Sequence, residues 1–76
     1  MSHSREPLYW EATYAIAMRL MEDYARVDPT ALGTQQLLEM VLNLPDFADE
    51  PILANEELLV EILRVWYEES TFHDQS

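Results

Sequence analysis

Only one glycine, Gly33, stands among 76 residues, and that scarcity narrows the fold more than any other feature. Tight hairpin reversals draw on glycine, and strand-like alternation of apolar and polar residues is weak. The periodicity that exists is helical. Thr13, Ile16, Ala17, Leu20, Met21 and Tyr24 recur at three-and-four spacing and predict a first helix over residues 10–24. A second is expected over residues 35–44, with Thr34 as N-cap and Leu37, Leu38, Val41 and Leu44 on its apolar face. A third should start after Asn55, a good N-cap. Glu56 and Glu57 fall in its first turn, where the helix dipole favours negative charge. Leu58, Leu59, Ile62, Leu63, Val65 and Trp66 give it a broad apolar side. The fold class is therefore all-α, a small helical domain.

The connectors agree. Asp28 before Pro29 reads as an N-cap followed by proline at the first position of a short helical turn. Gly33 is expected to end that turn with a positive φ. "LPDFADEP" carries prolines at both ends and cannot be one uninterrupted helix, and Phe47 within it is expected to fold back onto the core. Residues 1–7 and 70–76 read as flexible tails around one domain of residues 8–69. A chain this short hides only about 60% of its unfolded-state surface. Its large side chains must therefore serve the core first, and Trp10, Phe47 and Trp66 are the expected core aromatics. Tyr14 and Tyr67, beside polar positions, are the surface candidates.

Charge separates the function classes. Fifteen acids face four arginines and no lysine, giving a formal net charge of −11. Phosphate backbones and anionic membrane surfaces would repel such a molecule, so neither nucleic acid nor membrane is an expected partner. Basic protein surfaces and cations are. Without cysteine there is no thiolate nucleophile, thiolate metal site or disulfide, and this fits a reducing cytoplasm. "MSHSREP" has no apolar run of the signal-peptide kind, and no segment approaches the ~20 apolar residues of a membrane span. A cytoplasmic protein is expected.

The chain is poor in catalytic signatures. His3 and His73 fall in the predicted tails, the serines cluster near the ends, and no glycine-rich phosphate loop exists. No enzyme is expected. Asp46, Asp49 and Glu50 share a proline-bounded loop whose oxygen donors suit hard cations such as Mg²⁺, Ca²⁺ or ferrous iron. The EF-hand pattern is absent, and the same acids also serve to keep the loop hydrated and to precede a helix. Glu22 and Asp23 near the end of the first helix, like Glu68 and Glu69 near the expected end of the third, oppose the helix dipole. A surplus in locally unfavourable places points to electrostatic steering toward a basic partner, with general solubility as the alternative.

"LYW", "VDP" seventeen residues after the tryptophan, then "LPDFADEP", "ANEELL" and "VWYEE" together resemble the IscX-like proteins of bacterial iron–sulfur cluster assembly. The most specific block is Phe47, Asp49, Glu50 and Pro51, followed by Asn55 and Glu56, then Trp66 with Glu68 and Glu69. The resemblance implies a modified winged-helix arrangement with little or no β-wing. It also implies an acidic face that binds the basic groove of a cysteine desulfurase, and weak binding of ferrous iron through carboxylates with no tightly held cofactor. The implied roles are adaptor, regulator of cluster assembly, or iron donor. A winged-helix nucleic-acid binder is a further reading that the charge opposes.

On this basis Glu22, Asp46, Asp49 and Glu50 are the candidate iron ligands. The candidate partner face comprises Glu11, Glu22, Asp23, Asp28, Asp46, Asp49 and Glu50. The chain departs from the family pattern at Ala12, Ala15, Met18 and Arg26, where acids are typical. Positions 15, 18, 22 and 26 would share one side of a helix, so the departures thin the negative field there. Arg64 also enters a typically apolar position.

Overall fold

Three α-helices, α1 (Thr13–Asp23), α2 (Thr34–Leu42) and α3 (Glu56–Asp74), alternate with two 3-10 turns, Pro29–Ala31 and Pro51–Leu53. The computed structural model describes residues 7–74, with side chains through residue 71. The tail reading for residues 1–6, including His3, falls outside the described residues, as does the His73 side chain. Among the described residues there is no strand, and the one β-type pairing is a parallel bridge between Leu8 and Phe47. The all-α class expected from the sequence is the class observed, without a wing.

The helix boundaries follow from local hydrogen bonding. α1 starts three residues later than the apolar stripe predicts, because Trp10 is not helical. A turn closes from Ala12 N–H to the Tyr9 carbonyl at 2.9 Å, and the Trp10 N–H donates to the Asp49 carboxylate at 3.0 Å. α1 ends at Asp23 with Tyr24 as its C-cap, so Arg26 lies beyond the helix and does not continue the face of Ala15, Met18 and Glu22. At α2 the N-cap is Gly33 rather than Thr34. Gly33 has φ −89° and ψ 167°, extended backbone open to any residue, and its N–H donates to Gln36 Oε1 at 3.1 Å. The expected positive φ is therefore absent. The glycine opens a helix instead of closing a turn. α3 is capped as expected, with Leu58 N–H donating to Asn55 Oδ1 at 2.9 Å. It runs on past Glu69 to Asp74.

The core draws on every element. Ile16, Ala17 and Leu20 of α1 meet Leu59, Ile62 and Trp66 of α3 across the largest helix–helix interface, and α2 adds Leu37 and Val41. The connectors contribute as much as a helix does. Leu8, Trp10 and Leu44 are buried, and Phe47 meets the Trp10 ring edge-on at 4.8 Å between centroids. Leu8 is stitched to the acidic loop on both sides: its N–H donates to the Asp46 carbonyl and its carbonyl accepts from Ala48, each at 2.9 Å. The 46–50 loop is thus part of the folded body, held against the entry to α1.

Candidate functional site

The acidic loop is positioned by Trp10. Its indole Nε1–H donates to the Glu50 carbonyl at 2.8 Å, so the buried ring is hydrogen-bonded at its polar tip, as a buried indole requires. Asp49 completes the clamp with both oxygens. Oδ2 accepts from the Trp10 N–H at 3.0 Å and Oδ1 from the Glu50 N–H at 2.8 Å. Trp10, the chain neighbour of Glu11, is therefore tied to the Glu50 backbone directly and through Asp49. Both glutamates are exposed, whereas Asp49 is half-buried and engaged in holding the loop.

A second clamp lies beside the first. The Arg19 guanidinium on α1 forms a hydrogen-bonded ion pair with Asp46, and its Nε lies 3.8 Å from Glu22 Oε1 one turn along the helix. Arg19 and Asp46 are mostly shielded, with side chains 16% and 21% exposed, so their attraction is screened less than a surface pair's. Glu22, at 66% side-chain exposure, remains open to solvent. The negative charge expected from Asp46 and Glu22 is partly neutralised within the chain itself.

Of the candidate partner residues, Asp49 and Glu50 belong to the first clamp and Asp46 and Glu22 to the second, while Glu11 follows Trp10 in the chain. Asp23 is exposed at the end of α1. Asp28 is held elsewhere, on the Pro29–Ala31 turn that packs on α3. Its Oδ1 accepts from the Thr30 hydroxyl at 2.8 Å and from the Thr30 N–H at 3.0 Å. These bonds, the hydroxyl's first, hold the Asp28 carboxyl below its usual 3.8. Asp28 also borders a cleft of about 500 Å³ with Met21, Val27, Trp66 and Tyr67.

Among the described residues no three Asp, Glu, His or Cys side chains gather as metal ligands. The Asp49 oxygens accept backbone N–H groups, and Asp46 pairs with arginine. At the other end of the sequence Arg64 is half-exposed between Glu61 at 2.6 Å and Glu68 at 3.1 Å. Glu61 first, then Glu68, raises its pKa. Because α3 continues to Asp74, Glu68 and Glu69 are not in its last turn. Their placement is then no conflict with the dipole, which falls off within the final turn.

This arrangement, three helices with a Trp10-clamped acidic loop, falls almost wholly within residues 8–71, the stretch matched by the profile of the iron–sulphur cluster assembly family. The chain belongs to that family. Membership places its role in iron–sulfur cluster assembly, and the resemblance to IscX-like proteins carried by the "LPDFADEP", "ANEELL" and "VWYEE" blocks holds over nearly all of the described chain. The chain is also 36% identical over 62 residues to the uncharacterized protein PA3808 of Pseudomonas aeruginosa, a match that spans 82% of this chain and 94% of that protein. No helix of the described residues is long and apolar enough to cross a membrane.

Two features of this family member escaped the sequence. Arg19 pairs with Asp46 and lies near Glu22, and Asp46 is 27 positions away, so no local pattern announces the pair. Ile52 and Leu53 are exposed beside the acidic loop. Their signal was legible in part: they follow Pro51 and fall outside the helical stripe that begins at Leu58.

Proposed function

We propose that the chain is a non-enzymatic acidic adaptor that docks on a cysteine desulfurase and tunes the rate of cluster assembly. The observation that supports it best is the double clamp of Asp49 and Trp10, which holds the backbone of the exposed Glu50 against Trp10, the neighbour of the exposed Glu11. Carboxylates carried on a clamped backbone cost less loop-ordering entropy on meeting a basic groove than carboxylates on a mobile loop do. The net charge of −11 adds a long-range attraction that accelerates encounter and weakens as salt rises. Family membership supplies the setting, since a sulfur donor is a component that cluster assembly requires.

Titration against the cysteine desulfurase of the same organism tests this reading. A complex that forms at micromolar concentration and weakens steeply with salt is expected, and none at low salt would refute it. The iron-donor alternative uses the same carboxylates. Under anaerobic ferrous iron it predicts selective broadening of the Glu22, Asp46, Asp49 and Glu50 resonances. The adaptor reading predicts weak, uniform broadening over the acidic surface, because Asp46 and Asp49 are already engaged.

A further inference from the structure

The 3-10 turn Pro51–Leu53 presents two large apolar side chains to solvent. Ile52 is 85% exposed, more than any other large apolar residue described, and Leu53 is 54% exposed. The turn is not loose. Leu53 N–H donates to the Glu50 carbonyl at 3.1 Å and Ala54 N–H to the Pro51 carbonyl at 3.0 Å. Pro51 fixes φ at the first position of the turn. The Glu50 carbonyl is further held by the Trp10 indole, and Ala54 packs against the core. The pair is thus clamped from both sides and displayed at its tip. Scattered exposed apolar residues are ordinary, but an adjacent pair on a rigid turn is preorganised for contact.

The surrounding charge says what can cover it. In the chain the pair lies between Asp49–Glu50 and Glu56–Glu57, and Glu50, Glu56 and Glu57 are exposed. A second copy would bring one chain of net charge −11 against another, and an anionic membrane would repel the same carboxylates. The complement is a shallow apolar hollow rimmed by lysine or arginine side chains on a folded protein.

We propose that Ile52 and Leu53 are the apolar anchor with which this chain seats on its desulfurase, the carboxylates steering the approach and the anchor setting residence. This rests on the adaptor reading above and adds to it the residues that control dissociation. Steering charges act mainly on association, whereas a buried apolar anchor acts on dissociation.

The test is stopped-flow or surface-based kinetics of the full chain and its I52S/L53S variant against the desulfurase, at low and at high salt. Both side chains are exposed, so the variant should keep the parent's helical content and unfolding midpoint. Association at low salt should stay within about threefold of the parent. Dissociation should be about a hundredfold faster, the effect of exposing two anchors that bury well. Dissociation at the parent's rate overturns the anchor while leaving the adaptor reading intact, and a parent that forms no complex overturns both. Two further results overturn the assignment of the occupant. One is a parent homodimer, seen by sedimentation, that the variant abolishes. The other is parent binding to neutral phosphatidylcholine vesicles that the variant loses.

Discussion

Asp49 illustrates how a residue chosen for its charge can act through its geometry. Both its oxygens accept backbone N–H groups, from Trp10 and from Glu50. Asp49→Ala should destabilise the fold by about 2 kcal/mol, the usual cost of losing hydrogen bonds to a charged acceptor. The urea midpoint reports it, and an unchanged midpoint would mean that the carboxylate does not hold the loop. Arg19 acts in the opposite sense. It sets a cation on Asp46 and near Glu22, where it would compete with the proposed basic partner. Arg19→Met takes the formal charge from −11 to −12 by removing one positive group. It should tighten low-salt binding to the desulfurase about threefold to tenfold, roughly 1 kcal/mol, while lowering stability because a shielded pair is broken. Weaker binding by a folded variant would show that Arg19 supports the interface.

At the scale of elements, the Pro29–Ala31 turn makes a pH-dependent contribution. Asp28 has its pKa lowered by the Thr30 hydroxyl and N–H, so folding favours its ionised form. The stability it adds is present above the unfolded value near 3.8 and is lost as pH falls through the lower folded value. The gap in unfolding midpoint between parent and Asp28→Ala should be constant from neutral pH to about 4 and close below it. A gap that persists in strong acid would assign the effect to something other than the carboxylate.

The same scale shows what the sequence can and cannot convey. Asp28–Pro29 and Asn55 mark their elements correctly because a cap and its amides lie within three positions of one another. Trp10 and Trp66 are legible as core, and Phe47 as a partly buried ring packed against it, because few sites in so small a domain accept rings that large. Trp10 nonetheless misleads about where α1 begins. It fits the helical stripe, yet its N–H is taken by a carboxylate 39 positions away. The Leu8–Phe47 bridge and the Arg19–Asp46 pair are likewise long-range. Gly33 misleads differently, since a glycine that can close a turn can equally precede a helix with ordinary extended backbone.

For the whole molecule, the clamps divide the acidic candidates into those that build the loop and those that face outward. Asp46 and Asp49 belong to the structure, whereas Glu11, Glu22 and Glu50 stand exposed around it. The family's role in cluster assembly and the net charge of −11 both support the proposed attraction of exposed surface carboxylates for a basic enzyme. The most direct measurement compares the parent with the E11Q/E22Q/E50Q variant, titrated against the desulfurase from about 0.05 M to about 0.5 M salt. The variant should retain the parent's fold, bind at least about tenfold more weakly at the lowest salt and show a shallower salt dependence. Equal affinity and equal salt dependence in the two proteins would contradict that attraction.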